Sequence, residues 1–374
     1  MKEHKTRIEK VRYAMADKGI DVFLLGPSSD MFYLTGYGVK ADKRLFFLVL
    51  PREGSSGENQ PFVLANLLYR EQVSSLPSSG LLGDLIFWKD GEDPFEILKK
   101  EIEKRNIPMG RAALEASVPA LFTVPLGQKF PETEFVLGSS LTEPLRQYKD
   151  ESELEIIKAA CRESDRALAA LMDRGSYWLG KSETDFYNAL QAELGKAGLG
   201  SFGAGIAAGA NAAVPHHSVG PSLIENGKCF LVDFWAKLDG YFTDCTRTFF
   251  FGKPDSEFEK IHAIVLEAQS AAQEAVAIGK TLGDVDYAAR SVIEKAGYGE
   301  YFTHRTGHGC GIDIHEGDSV NIGVDVPLAA GMVFSIEPGI YLPGRYGVRI
   351  ENLVAVTERG AEVLHAYPRD LKIV

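Results

Sequence analysis

Acidic residues interrupt apolar segments twice in the second half of the sequence. Asp233 and Asp244 lie on either side of Asp239-Gly240, a dipeptide typical of two-residue hairpin turns. If that dipeptide forms the turn, Asp233 faces Thr246 and Asp244 lies two places along on the same face. If the turn is centred one residue earlier, the two aspartates face each other. Either register puts two negative charges on one face of apolar strands, which is costly unless a cation lies between them.

The second acid pair is Glu337, at the end of MVFSIE, and Glu351, within VRIENLVAV. A hairpin centred on Gly344 would place these two residues opposite each other. Four converging carboxylates would require divalent metal, and they fit two hard or borderline cations better than one. His308, flanked by glycines in RTGHGCG, is a candidate imidazole ligand. The alternative is that each acid is solvated at a strand edge and the histidine is an ordinary core or surface residue.

Histidines are concentrated in the same part of the chain. Six of the eight lie between residues 216 and 315, a density that indicates a site even if some of them are surface residues. The six are His216, His217, His262, His304, His308 and His315.

The elements that precede these residues predict an α/β domain. Apolar spacing predicts helices over 5–18 and 94–106, and short apolar runs predict strands between and after them. Alternation of strands and helices is typical of an α/β domain with a mostly parallel sheet. The strands are expected at 21–26, 45–50, 62–65, 82–88, 111–116 and 133–139.

The pattern changes near residue 145, where we place a domain boundary between 1–145 and 146–374. The second domain is predicted to be α+β, with antiparallel strand pairs at 228–252 and 332–357. Its helices are expected from residue 150 and at 182–198, 256–279 and 281–299.

One glycine-rich segment imitates a dinucleotide fingerprint. Gly203, Gly205 and Ala208 match G-x-G-x-x-A, but the residues before them are interpreted as a helix and a glycine-rich loop, and no helix follows. Because that fingerprint requires strand, loop and helix in this order, we reject it.

Composition excludes several other classes. The 40 basic and 52 acidic residues give a net charge of −12, which argues against a nucleic-acid-binding protein. No apolar run approaches the ~20 residues of a membrane helix, and the charged N-terminus does not resemble a secretory signal. The four cysteines are scattered without a CxxC pair, so a cytoplasmic location is expected.

Five strings together resemble the pita-bread dinuclear metallopeptidases, a superfamily that includes Xaa-Pro aminopeptidase, Xaa-Pro dipeptidase (prolidase), methionine aminopeptidase and creatinase. The N-terminal string DVFLLGPSSDMFYLTGY is similar to the start of a creatinase-type N-terminal domain, which favours the Xaa-Pro branch over methionine aminopeptidase. The resemblance implies a creatinase-like α/β domain followed by an α+β pita-bread catalytic domain. The five strings are PHH, VDFWAKLDGYFTDCTRT, GHGCGIDIHE, SIEPGIY and GVRIEN.

The resemblance also implies a ligand set for two divalent ions, with Mn²⁺ expected and Co²⁺ or Zn²⁺ as alternatives. Asp233 would chelate one metal, and Asp244 and Glu351 would bridge both. His308 and Glu337 would complete the shell of the second metal.

By the same resemblance, His216 and His315 would contact substrate and the developing oxyanion, and Glu337 would join them as a catalytic residue. Arg349 and Tyr341 would support the site through hydrogen bonds.

Four residues depart from the family pattern. Trp235 replaces a common glycine and would narrow or reshape the pocket. Lys228 and Asn352 replace commonly acidic positions, and Ser319 stands where several prolidases have an arginine suited to a dipeptide carboxylate. The serine at position 319 weakens the expectation of strict dipeptidase activity, although another cationic side chain could bind the dipeptide carboxylate.

The leading hypothesis is therefore an Xaa-Pro aminopeptidase that acts on the N-terminus of proline-containing peptides. The alternatives are an Xaa-Pro dipeptidase, a creatinase-like C–N hydrolase and a non-enzymatic peptide-binding module. By analogy with relatives, a homodimer is expected.

Overall fold

The computed structural model describes residues 2–40, 42–52, 60–74, 76 and 82–374, which form two compact units, Met1–Arg146 and Gln147–Val374. The described helices of the first unit are α1 (Lys2–Asp17), α2 (Ser29–Thr35), α3 (Arg70–Val73), α4 (Pro94–Lys104), α5 (Ala120–Lys129) and α6 (Ser139–Arg146). Its strands are β1 (Val22–Leu25), β2 (Phe47–Pro51), β3 (Phe62–Asn66), β4 (Leu85–Trp88), β5 (Arg111–Leu114) and β6 (Glu134–Leu137).

The strands of this unit form one sheet in the order β4-β3-β2-β1-β5-β6. The α/β class is confirmed, but the sheet is mixed, because β2 runs antiparallel to both of its neighbours. Only residues 52–61 separate β2 from β3, too few for the crossover that parallel neighbours require. β1, β2 and β3 are buried along their whole length, as expected for strands covered on both faces.

The second unit has the predicted α+β composition. Its helices are α7 (Glu151–Met172), α8 (Glu183–Lys196), α9 (Ser256–Ala275) and α10 (Leu282–Lys295). Its strands are β7 (Gly200–Ala208), β8 (Lys228–Leu238), β9 (Tyr241–Phe251), β10 (Gly307–His308), β11 (Ser319–Val320), β12 (Val333–Ile336), β13 (Gly339–Leu342), β14 (Tyr346–Arg349), β15 (Asn352–Thr357) and β16 (Gly360–Val363). Capping boxes at Asp150, Ser182 and Thr281 start α7, α8 and α10 by satisfying free backbone N–H groups.

β8 and β9 form the predicted hairpin, with eleven residues in each strand. Asp239 and Gly240 have φ angles of 45° and 91°, the left-handed conformation that a two-residue turn of this kind requires. The first of the two alternative registers is found, because Asp233 pairs with Thr246 and Trp235 pairs with Asp244.

The interpretation of the residues just before Gly203 as a glycine-rich loop is wrong. Gly200–Ala208 forms β7, which pairs antiparallel with β8 and places Gly203 opposite Trp235. A short 3₁₀ helix, Gly209–Ala213, follows instead of an α-helix, so the rejection of a dinucleotide site holds. The missing Cβ of Gly203 accommodates the neighbouring indole, which explains a glycine in this strand.

The pairing centred on Gly344 is found in two consecutive ladders. Gly339 pairs with Arg349 in the β13–β14 hairpin, and Ile336 pairs with Asn352 between β12 and β15. Glu337 and Glu351 lie in the break between these ladders. Their backbone N–H groups turn to other strands, since Glu337 N donates to Thr306 O at 2.8 Å and Glu351 N donates to Thr246 O at 3.0 Å.

The two faces of β8 have different surroundings. Phe230, Val232 and Phe234 are fully buried in a core shared with α7 and α8. Asp233 and Trp235 alternate with them and therefore point to the other face. Across the described residues, no helix has both the length and the apolar content needed to cross a bilayer.

Candidate metal centre

All five predicted ligands line one cavity of about 210 Å³ in the second unit. Two adjacent strands supply Asp233 and Asp244, and His308 ends β10. Glu337 directly follows β12, and Glu351 lies between β14 and β15. The long hairpin, the end of β10 and the break between the two later ladders therefore direct all five side chains toward one volume.

Three of these residues form the tightest group. Ligand atoms of Asp244, His308 and Glu351 all lie within 4.8 Å of one another. His308 Nε2 is 3.5 Å from Asp244 Oδ2 and 3.3 Å from Glu337 Oε1, which adds a fourth ligand to the group. Asp233 lies in the same cavity wall with its Oδ2 bound to Arg349.

Electrostatics show that this group is unfavourable without positive charge. Burial, followed by the charges of Asp233 and Glu337, raises the pKa of Asp244 well above its ordinary value. Burial and the charge of Asp244 do the same to the pKa of Glu351, and burial raises the pKa of Glu337. Clustered carboxylates in a desolvated site resist ionisation until cations neutralise them.

Unpaired oxygen atoms show where cations fit. Within the described residues, Asp244 Oδ1 and Glu351 Oε1 are buried and have no hydrogen-bond partner. A buried acceptor without a partner costs free energy, and a divalent cation with oxygen ligands removes that cost. The residues present therefore fit a divalent metal centre.

A second buried group, Asp165, Cys245 and His365, has similar spacing but different chemistry. His365 Nδ1 is 2.9 Å from Asp165 Oδ1, and Asp165 Oδ2 accepts hydrogen bonds from the backbone N–H groups of Ala366 and Tyr367. Both carboxylate oxygens are already bound by protein groups, so this cluster is a hydrogen-bonded core network.

Outer hydrogen bonds orient the carboxylates. Arg349 Nη2 donates to Asp233 Oδ2 at 2.7 Å, and Arg349 Nη1 donates to Tyr341 Oη at 2.8 Å. Thr246 Oγ1 donates to Glu351 Oε2 at 2.7 Å. Tyr341 is buried and reaches the cavity through Arg349 and His304, whose Nε2 is 2.8 Å from Tyr341 Oη. Such contacts fix the direction in which ligands present their remaining oxygen atoms.

Imidazoles line the rest of the cavity. The rings of His308 and His315 meet edge to face at a centroid distance of 4.1 Å, and His216 and His304 lie in the same wall. Burial and the neighbouring His308 lower the pKa of His315 to about 4, and burial with Arg349 lowers the pKa of His304 to about 4. Both rings are therefore neutral near pH 7, and each has one N–H group to donate.

Buried carboxylates anchor the two loops that carry His216 and His315. Glu183 accepts hydrogen bonds from Ala208 N, Asn211 Nδ2, His217 Nε2 and Gly220 N at 2.8 to 2.9 Å. These four bonds hold residues 208–220, which include His216. Glu316, next to His315, binds Lys149 Nζ at 2.9 Å and Asp313 N at 3.1 Å.

Arg305 is a cavity residue that sequence reasoning missed. Its Nη1 donates to Ser319 Oγ at 2.8 Å, which places a guanidinium against the residue that replaces the arginine of several prolidases. The signal was a cation directly beside His304 in HRTGHG. His304 was counted among the histidines but given no role, and of the other counted ones His217 binds Glu183 while His262 is buried in α9.

Comparison with known proteins decides the family. The model of metallopeptidase family M24 matches residues 155–358, which is more than half of the chain. The chain belongs to metallopeptidase family M24. Residues 7–148 match the creatinase/prolidase N-terminal domain, so the predicted creatinase-type and pita-bread domains are both confirmed. As a member of M24 the chain is a metallo-exopeptidase, and the family depends on two metal ions.

Similar M24 proteins match over nearly the whole chain. The chain is 35% identical to the putative dipeptidase YkvY of Bacillus subtilis, over 98% of this chain and 99% of the relative. It is 34% identical to the Xaa-Pro dipeptidase of Lactobacillus helveticus, over 98% of each protein. The crystal structure of a prolidase from Thermococcus sibiricus has a TM-score of 0.92 and 34% identity, with 99% of each chain covered.

Proposed function

We propose that this chain is an Xaa-Pro dipeptidase that hydrolyses the bond before proline in dipeptides with two divalent cations. Arg305 is the observation that carries the proposal, because it places a fixed cation in the cavity wall. In an Xaa-Pro dipeptide the carboxylate lies on the proline, next to the scissile bond. A guanidinium binds such a carboxylate through charge-assisted hydrogen bonds, whereas a longer peptide has no charge there.

This proposal replaces the aminopeptidase that the sequence favoured. Relatives that match almost end to end are named dipeptidases, and one is named an Xaa-Pro dipeptidase. Ser319 had weakened the dipeptidase alternative by its lack of charge. Arg305 supplies that charge from the segment just before β10, where the pairing of β10 with β11 brings its side chain within hydrogen-bond distance of Ser319.

The residues that would hold the two ions are Asp233, Asp244, His308, Glu337 and Glu351. The unpaired oxygen atoms and the raised pKa values of Asp244 and Glu351 support this assignment. When bound, the two cations would polarise the scissile carbonyl and activate water.

Protein groups perform the remaining steps. Glu337 accepts the proton of the attacking water as a general base. His216 and His315 donate hydrogen bonds to the oxyanion that develops at the carbonyl, an effect that reaches about 100-fold or more per donor. Since the nitrogen of an Xaa-Pro bond carries no hydrogen, substrate cannot bind as an added strand and depends on a shaped cavity.

The test compares alanyl-proline with alanyl-proline amide after the metal-free protein is titrated with Mn²⁺, Co²⁺ or Zn²⁺. We expect kcat/KM to fall roughly 10- to 100-fold for the amide, which lacks the carboxylate charge. Arg305→Met should remove most of this difference, and Arg305→Lys should keep part of it. Equal rates for alanyl-proline and alanyl-prolyl-alanine, unaffected by Arg305→Met, would restore the aminopeptidase alternative.

Three expectations remain predictions under this proposal. Mn²⁺ is the proposed physiological metal, a homodimer is the proposed assembly, and the cytoplasm is the proposed location. Metal analysis of the protein purified without added metal tests the first, light scattering tests the second, and cell fractionation tests the third.

A further inference from the structure

Trp235 occupies an unusual position between two strands. It pairs directly with Asp244 of β9 on one side and with Gly203 of β7 on the other. A Cβ added to Gly203 would lie 2.4 Å from Cζ2, 2.5 Å from Cε2 and 2.7 Å from Nε1 of the indole. These distances are far below van der Waals contact, so the indole lies directly on the bare backbone of β7.

The same indole forms part of the cavity wall beside Asp233 and Asp244. Its side chain is half-buried, whereas Trp88 and Trp178 are 6% and 2% exposed and belong to hydrophobic cores. Trp235 is therefore the tryptophan that a bound substrate can touch. A tryptophan with one face on a strand and the other toward a ligand is rigid, because it has only two side-chain torsions and the strand blocks movement away from the cavity.

The volume of the cavity indicates that Trp235 restricts the size of the substrate. Its volume of about 210 Å³ is below the roughly 300 to 1,000 Å³ of pockets that hold drug-sized ligands. The same space must also hold the metal ions that the carboxylates require. A substrate that fits it is small, and a glycine at position 235 would add the volume of the indole to the cavity.

We propose that Trp235, seated on Gly203, limits the length of the substrate and confines this enzyme to dipeptides. The inference rests on the proposed dipeptidase function and adds a steric cause to the charge supplied by Arg305. Trp235 acts by contact with substrate, and Gly203 is a positioning residue that allows the indole to lie flat on β7.

The experiment measures the ratio of kcat/KM for alanyl-prolyl-alanine to kcat/KM for alanyl-proline in the Mn²⁺-loaded full chain. Trp235→Gly should raise this ratio at least tenfold, and Trp235→Phe should restore it toward the wild-type value. Gly203→Ala should instead lower the ratio, because the added methyl pushes the indole away from β7 and toward the cavity without changing its chemistry. Tyr287→Ala, which removes an exposed aromatic side chain from α10, is the matched control and should leave the ratio unchanged.

Two failures can be told apart. If the wild-type protein does not cleave alanyl-proline with any of the three metals, the proposed function is wrong. If it cleaves alanyl-proline but the ratio stays constant in Trp235→Gly and Gly203→Ala, the length limit does not come from Trp235. A rise in Tyr287→Ala as large as in Trp235→Gly would also overturn the inference, because it would reflect general loosening. Should Trp235→Gly fail to fold, Gly203→Ala decides the outcome through the same ratio.

Discussion

Two unpaired oxygen atoms distinguish the candidate metal centre from the buried cluster of Asp165, Cys245 and His365. Asp244 Oδ1 and Glu351 Oε1 are buried without a hydrogen-bond partner, whereas the carboxylate of Asp165 is satisfied by His365 and by backbone N–H groups. The difference matters because a folded protein seldom leaves a buried carboxylate oxygen unpaired. These two unpaired oxygen atoms therefore mark positions where a bound cation, rather than a protein group, would be the partner.

Asp244→Asn should show this reliance on a bound cation directly. The amide keeps the size of the carboxylate but removes a negative charge from the candidate metal centre, so we expect Mn²⁺-dependent hydrolysis of alanyl-proline to fall about 100-fold or more. We also expect Mn²⁺ to raise the melting temperature of the wild-type protein but not that of the variant, because a ligand stabilises only the state that binds it. Thermal denaturation with and without Mn²⁺ measures this effect.

Asp239→Asn is the matched control. It makes the same chemical change in the same hairpin, at an exposed turn position whose left-handed conformation asparagine tolerates. Both the activity and the metal-induced shift should match those of the wild type. If Asp244→Asn also retained both, Asp244 would not be a metal ligand.

At the scale of elements, a buried ion pair holds the loop that presents His315. Lys149 and Glu316 are 2.9 Å apart with side-chain exposures of 2% and 7%, and Glu316 also binds the backbone of Asp313. Glu316 N in turn donates to Gly309 O, close to His308. Glu316 therefore connects the loop to the segment next to His308, through its carboxylate on one side and its backbone N–H group on the other.

Lys149→Met should be costly for both stability and catalysis. Breaking a buried pair leaves an uncompensated charge, which costs about 3 to 5 kcal/mol. We expect kcat to fall more than KM rises, because the role proposed for His315 is to stabilise the oxyanion rather than to bind the ground-state substrate. Urea denaturation and steady-state kinetics measure the two effects.

Lys158→Met provides the comparison for the ion pair. Lys158 binds Glu362 at 2.8 Å, but the two side chains are 25% and 44% exposed, so its loss should cost no more than about 1 kcal/mol. Equal destabilisation in the two variants would show that the loop does not depend on the buried pair.

Element geometry also explains which site residues could be predicted from the sequence. Because side chains alternate along a strand and Asp239-Gly240 is a strong turn signal, the sequence predicts that Asp233 and Asp244 lie on the same face of a hairpin. The pairing centred on Gly344 likewise predicts that Glu337 and Glu351 lie opposite each other. Both N- and C-terminal fold classes follow from the order of helices and strands for the same reason.

Other positions depend on tertiary contacts that spacing does not reveal. Arg305 meets Ser319 only because β10 pairs with β11, and Lys149 meets Glu316 from far along the chain. The sequence predicts a loop just before Gly203, because a strand rich in glycine and alanine has little apolar periodicity, and the role of Gly203 is visible only against Trp235. Such contacts are set by packing rather than by local pattern.

At the scale of the whole molecule, a histidine far from the proposed chemistry links stability to pH. His262 lies in α9 at 3% exposure, and its Nε2 has no hydrogen-bond partner among the described residues. Burial lowers its pKa to about 4, although Asp370 opposes the change. The folded protein therefore binds this proton less readily than the unfolded chain.

The sign of the effect follows from that difference. Above the unfolded pKa of 6.5 the imidazole is neutral in both states and contributes nothing, and between pH 6.5 and about 4 the unfolded chain takes up the proton and gains stability. At pH 4.5 we expect His262 to reduce the free energy of unfolding by about 2 to 3 kcal/mol. His262→Leu should thus lose less stability than the wild type between pH 7 and pH 4.5 in urea denaturation, and an equal loss would contradict the assignment.

The backbone of the ligand residues adds a consequence for dynamics. Glu337 N donates to Thr306 O, just before β10, and Glu351 N donates to Thr246 O in β9, so the amides of two carboxylate residues connect the ends of β12 and β15 to other sheets. Cations that fix the side chains of Glu337 and Glu351 would also slow the opening of these cross-strand bonds. Chelation should accordingly speed deuterium uptake at the amides of residues 337 and 351, while the paired amides at the centre of the β8–β9 hairpin keep their protection.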